Sequence, residues 1–190
     1  PGPHHADAAS HGTSAHSPRP GLGAPALTKG GAWWSTLHDL EPALVVIGGR
    51  EYREVFSVPR AEGGIANTII PPTFTINVNH RFPPIYSIDE AEQRLRDIAA
   101  EADEIIVKDR APAGGAAPDD AEVRRLEALC TGARQAKQGW TDVARLTERG
   151  AVAVNYGPGV VAQAHQVGEY VPIRNLEVVF DVMRRFLAGE

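Results

Sequence analysis

The chain has 190 residues, a formal net charge of −5, 43% hydrophobic and 23% charged residues, values of an ordinary globular chain with one large or two small domains. Its 19 Lys and Arg residues are scattered and leave no electrostatic footprint for nucleic acid, and no apolar run approaches the roughly 20 residues of a membrane span. Neither nucleic acid nor membrane is an expected partner, and the lone Cys130, unable to pair within the chain and read as a small buried hydrophobe on a helix, suits a reducing cytoplasm.

The chain opens on Pro1, its sole methionine is Met183, and its first twenty residues mix Pro, Gly, Ala, Ser and His without an apolar period. Residues 1–10 are therefore expected to be a disordered or cut segment of a longer protein. Leu27, Trp34, Leu37 and Leu40 fall near one face of a helix over 24–40, although Gly30 and Gly31 each cost up to about 1 kcal/mol there. Strands are expected at 44–47 and 52–60 around the Gly48-Gly49 turn, with a second reversal at Gly63-Gly64. Over 73–82, Phe74, Ile76, Val78, His80 and Phe82 alternate with polar residues, which puts Arg81 on the polar face.

Pro83-Pro84 ends that strand. Ser87 and Glu90 form a capping box for a helix with the stripe Ile88, Ala91, Leu95, Ile98, Ala99 and Ala102, and 104–109 reads as a short strand. This order, with an edge strand cut short near His11, predicts an α/β protein whose first unit is a ferredoxin-like two-layer α+β domain.

Residues 111–118, rich in Ala, Pro and Gly, mark a boundary. Beyond it, Asp119 or Asp120 caps a helix with Val123, Leu126 and Leu129, and Thr141 caps another through Glu148. Residues 151–155 read as a short buried strand, and Asn175 opens a last helix with Leu176, Val179, Phe180, Met183, Phe186 and Leu187. These elements suggest part of an α/β sandwich.

Few residues point to chemistry by themselves. His165 follows a Gly-Pro-Gly turn where a strand ends; a neutral imidazole there can bind zinc with Glu169 to orient it, although a surface histidine is the simpler local account. Thr141 and Asp142 either cap a helix or also offer donors to a carboxylate. Arg81 offers a planar fork suited to a carboxylate and Asn67 an amide, while each is also an ordinary solvated polar residue. His4, His5, His11 and His16 lack the Cys or carboxylate pattern of a metal tract, Gly157-Pro158-Gly159 lacks the spacing of a phosphate cradle and reads as a tight turn, and Trp33-Trp34 reads as core or interface.

Taken in order, GTSAHS at 12–17, NTIIP at 67–71, NVNHRF at 77–82, GWTDVAR at 139–145, NYGPG at 155–159 and HQVGEYVPI at 165–173 resemble the dizinc deacylase and aminopeptidase family. That family includes acetylornithine deacetylase and aminoacylase, and the motifs lean toward its actinobacterial succinyl-diaminopimelate desuccinylase branch. The resemblance implies a lid or dimerisation domain at 11–110, inserted in an α/β zinc-hydrolase catalytic domain of which 111–190 is the C-terminal part. It implies that His16 reaches the partner subunit's site to stabilise a carbonyl oxyanion, that Asn67 and Arg81 hold substrate carboxylates, that Thr141, Gly157 and Pro158 face the substrate, and that His165 is a terminal zinc ligand.

The implied enzyme is a cytoplasmic homodimer that uses two zinc ions, with cobalt as an alternative, to cleave a small N-acyl amino acid. N-succinyl-diaminopimelate, split into succinate and diaminopimelate in lysine biosynthesis, is the first candidate. The remaining metal ligands and the general-base glutamate have no counterpart in this chain, so by itself it is expected to hold no stable zinc and to be inactive. Departures from the pattern are Gly159–Ala164 in place of a Gly-Asp-Pro-Asn type loop, Gly168 where an acidic residue is common, and His80 in place of an aromatic. A non-catalytic dimerisation module, or a deacylase or dipeptidase acting on another N-acyl amino acid, are the other readings.

Overall fold

The opening residues, expected to be disordered or cut, instead form a ten-residue strand, β1 (Gly2–His11). Its inward side chains are small, with Ala6 and Ala8 at 0% and 1% exposure, so no large hydrophobe announces the alternation. The computed structural model describes residues 1–115, 120–132 and 135–190. After β1 come β2 (Ala15–His16), α1 (Ala26–His38), β3 (Ala43–Ile47), β4 (Arg50–Gly63), β5 (Ile69–Ile70), β6 (Thr73–Phe82), α2 (Ile88–Ile98) and β7 (Glu104–Arg110).

The main sheet is antiparallel with strand order β3-β4-β6-β1-β7. β4-β6-β1-β7 with α1 and α2 is the expected ferredoxin-like arrangement, with β3 added along the first residues of β4. β1 is thus an interior strand rather than an edge. One core lies between sheet and helices, built from Ala6, Ala8, Phe74, Ile76 and Val78 below and Ala26, Trp33, Leu37, Leu95 and Ala99 above. Trp33 also donates Nε1–H to the Ile98 carbonyl at 3.1 Å, which ties α1 to α2. The capping box forms as expected: Ser87 Oγ accepts from the Glu90 N–H and Glu90 Oε2 accepts from the Ser87 N–H.

The two glycines of α1 have different reasons. A Cβ on Gly30 would lie 2.3 Å from the Phe74 ring, whereas Gly31 has nothing within 4 Å. Gly30→Ala is expected to lower stability by about 1–3 kcal/mol despite the better helix propensity of alanine. Gly31→Ala should raise it by up to about 1 kcal/mol. Urea titration of both variants checks this, and equal signs would contradict the packing argument.

After Arg110 the chain carries α3 (Ala121–Leu129), α4 (Val143–Glu148) and α5 (Ile173–Ala188). Asp120 caps α3, its Oδ1 accepting from the N–H groups of Glu122 and Val123; Asp119 and residues 116–118 of the expected boundary lie outside the described residues. α3 packs on α5, where the Arg125 guanidinium lies 4.1 Å over the Phe186 ring and donates to the Phe186 carbonyl. Cys130 is half-buried at the end of α3 rather than inside a helix.

Three expectations for this segment are corrected. α4 has no side-chain cap, and the Thr141 carbonyl accepts from the Ala144 N–H instead. Residues 151–155 form no strand, because a strand needs a neighbour for its backbone groups and no described segment pairs with them. α5 begins at Ile173, two residues before Asn175, whose side chain is used elsewhere. Along α5 only Val182 is buried, while Phe180 and Leu187 are 71% and 77% exposed.

Candidate functional site

The fold places His16 and Asn67 at one end of the sheet and Arg81 at the other. At one end β2 pairs with β5, placing His16 opposite Ile69. The Ser17 N–H donates to the Thr68 carbonyl at 2.9 Å, and the Ile69 N–H closes a turn onto the Ala66 carbonyl around Asn67 and Thr68. His16 and Asn67, 51 positions apart in sequence, are thus held side by side, both exposed.

At the other end Arg81 sits near the end of β6, with Pro3 and Val55 as its neighbours across the sheet. Burial lowers the pKa of the Arg81 guanidinium, and no carboxylate among the described residues pairs with it. Other arginines of this layer are paired: Arg60 with Asp7, Arg94 with Glu54, Arg96 and Arg110 with Glu92. From Thr73 to Arg81 a strand rises roughly 27 Å, and His16 and Asn67 lie beyond the Thr73 end.

The Arg81 end meets the closing segment. The Ala111 N–H donates to the Pro3 carbonyl and Trp140 Nε1–H to the Pro112 carbonyl, and Pro3, Trp140, Arg145 and Glu148 share a cleft of ≈ 180 Å³. Gln138 grips β4 with both ends of its amide, donating to the Glu51 carbonyl at 3.0 Å and accepting from the Arg53 N–H at 3.3 Å. Thr141, half-buried, follows Trp140 directly.

The Gly157-Pro158 loop is anchored by the Asn175 side chain, which donates to the Pro158 carbonyl at 3.0 Å. His165 is exposed and has φ 63, a left-handed conformation uncommon outside glycine. Glu169, expected to orient its ring, instead accepts from the His165 backbone N–H at 3.0 Å. Gly168 has φ 81, so the glycine that replaces a commonly acidic residue meets a conformational demand. One exposed imidazole, beside a carboxylate already bonded to backbone, does not make a dizinc cage. Among the described residues no three His, Cys, Asp or Glu side chains converge on a metal position.

The amino-terminal histidines are dispersed rather than gathered: His4 and His5 lie on opposite faces of β1, His11 pairs with Glu104 and His16 is in β2. Two polar clusters were not anticipated. On the open face of the sheet, a concavity of ≈ 450 Å³ is lined by His5, Asp7, Arg60, Asn77, Lys108 and Asp109. Burial pushes the Asp7 carboxyl up, but hydrogen bonds from Asn77 and Lys108 outweigh it and leave the pKa lowered. In the core, Glu54 accepts from His80 Nε2 at 2.8 Å and from Arg94 through two bonds of 2.7 Å. Both clusters join residues far apart in sequence, and the local signal was the polar alternation of β6 that carries Asn77.

Comparison with known proteins agrees with this fold. The profile of the peptidase dimerisation domain matches residues 4–106. The chain belongs to the peptidase dimerisation domain family. This dimerisation-domain chain is 38% identical over 180 residues to a Mycobacterium tuberculosis protein provisionally named succinyl-diaminopimelate desuccinylase, covering 94% of this chain and 51% of that one. It is 32% identical over 196 residues to acetylornithine deacetylase of Myxococcus xanthus, covering 93% and 50%. Among solved structures, a tripeptidase from Staphylococcus aureus matches 97% of the chain and 50% of its own, with a TM-score of 0.70 at 17% identity, a likeness of fold alone. The chain spans about half the length of the curated relatives it matches.

Proposed function

We propose that this chain supplies the lid, residues 11–110 together with β1, and the C-terminal part of the catalytic domain of a metal-dependent amide hydrolase acting on N-acyl amino acids. N-succinyl-diaminopimelate is the leading substrate, in line with the desuccinylase-named relative. The observation that carries the reading is Arg81: a half-buried guanidinium without a carboxylate partner among the described residues, at the lid end that abuts the closing segment. Such a group is suited to a substrate carboxylate. Thr141, Gly157 and Pro158 face the same substrate, Asn67 holds its second carboxylate, and His16 donates to the carbonyl oxyanion.

Because His16 and Asn67 stand at the far end of the sheet from Arg81, the two groups serve one substrate only if two lids exchange ends in a homodimer. Zinc, or cobalt in its place, would be held by His165 and by ligands that this chain does not provide. The chain assayed alone with either metal and N-succinyl-diaminopimelate is expected to show no turnover. Turnover removable by His165→Ala would overturn the fragment reading.

The family match over residues 4–106 also favours a second reading, a self-associating module without catalysis. Sedimentation of this chain gives a dimer in both; zinc bound once the missing ligands are supplied, and weakened by His165→Ala, belongs only to the first. The relative named acetylornithine deacetylase keeps another N-acyl amino acid open as substrate.

A further inference from the structure

Helix α2 rests on two histidines. β1 and β6 pair so that His4 and His80 are partners across the ladder, and both are fully buried on the face that α2 covers. His80 is well accommodated, with Nε2 at Glu54, Nδ1 3.2 Å from the Ala91 carbonyl and its ring stacked on Phe56 at 4.1 Å. His4 has no such partners: neither Nδ1 nor Nε2 makes a hydrogen bond. The nearest carboxylate oxygen, Glu92 Oε2, is 4.0 Å from Nε2 and is already taken by Arg110.

A buried, unpaired polar group in a packed core calls for an explanation, because an apolar side chain of similar size would fill the space without it. The groups around His4 are His80 from β6, Arg110 from β7, and Glu92 and Arg96 from α2; those around His80 include Glu54 from β4 and Arg94 from α2. Once protonated, the His4 imidazole carries two N–H donors and no acceptor capacity, and it would stand among Arg96 and Arg110 with one carboxylate just out of reach.

We propose that His4 is an acid-operated latch for α2. Neutral, it lets the helix close on the sheet; protonated, it needs acceptors that the closed packing withholds, and α2 lifts to let water reach it. Burial is the largest influence and pushes the His4 pKa down, Glu92 pulls it up, and His80, Arg110 and Arg96 push it down again, leaving it lowered. A histidine depressed in the closed form takes up its proton on opening. The closed form therefore keeps its full stability above the ordinary histidine value of about 6.5 and loses it as pH falls toward the depressed one.

Amide hydrogen exchange of α2 tests this between pH 7.5 and 5, with rates normalised for intrinsic exchange and the His4 ring nitrogens followed by NMR. In the unaltered chain the protection of α2 should fall by up to about tenfold per pH unit below 6.5, while the His4 ring of the closed form stays neutral to lower pH than an exposed imidazole. Burial lowers the pKa of His80 as well, so His4→Phe should remove the His4 share of that slope and leave any share of His80, and His5→Gln, on the opposite face, should leave it whole. An unchanged slope in His4→Phe, or a His4 ring that titrates near 6.5 while α2 stays protected, overturns the proposal. If His4→Phe does not fold, the ring titration of the unaltered chain decides alone.

Discussion

Glu54→Ala is expected to destabilise the lid by about 3 kcal/mol, the lower end of what breaking a buried ion pair costs. Glu54 is 3% exposed and is the common acceptor for His80 and Arg94. Removing it leaves His80 Nε2 facing an empty space in the core, and His80 is fully buried and cannot turn to water. The Arg94 side chain is 43% exposed and can swing into solvent, which keeps the loss from the upper end of that range.

In a His80→Phe background the same substitution should cost less, because a phenyl ring stacks on Phe56 without asking for the carboxylate; the difference between the two backgrounds measures the coupling. Urea unfolding followed by the fluorescence of buried Trp33 reads both values, and a loss under about 1 kcal/mol with unchanged m would refute the argument. The pH dependence has its own window. Burial pushes the Glu54 carboxyl up, but Arg94 and His80 outweigh it and hold it lowered. Its contribution is present above the ordinary carboxylate range near 4.3 and is lost as pH falls through the folded value, well below the range in which His4 acts.

The parts of this fold legible in the sequence were those with a strong local code. β6 announced itself by four apolar residues and a histidine in alternation and α2 by a capping box and a stripe. β1 had neither. Its inward residues are Ala, Ser and His because α1 and α2 lie close to it, so the tight packing that makes it central also removed the large side chains by which strands are recognised. Residues 151–155 failed in the other direction: an apolar run promised a strand, but sheet formation is a property of pairs, and no pairing segment is present among the described residues. At the candidate site, residue types and motif order pointed to His16, Asn67, Arg81 and His165. The division of His16 and Asn67 from Arg81 depends on the pairing of β2 with β5, two residues each, which has no local signature. Glu54 and its partners were hidden for the same reason, as the three lie on β4, β6 and α2.

That division carries the largest expected effect on activity. If the proposed roles hold, in the complete protein His16→Ala should lower kcat by about 10²–10³, the usual consequence of removing one donor to a developing oxyanion, and His165→Ala should abolish turnover by removing the proposed metal ligand. Two inactive proteins should then rescue each other. If His16 serves the partner's site, a hybrid dimer of one His16→Ala subunit and one His165→Ala subunit contains one intact site, because the subunit that keeps His165 receives His16 from its neighbour. Random pairing makes half of the dimers hybrid, so about a quarter of all sites recover. Arg81 supplies the control. It stands at the lid end that touches the closing segment of its own chain, so Arg81→Ala and His165→Ala each damage the subunit that carries them, and their hybrid should recover nothing. Rescue in both mixtures would place Arg81 in the partner's site, and rescue in neither would place His16 in its own, contrary to the roughly 27 Å that a strand spans between the two ends.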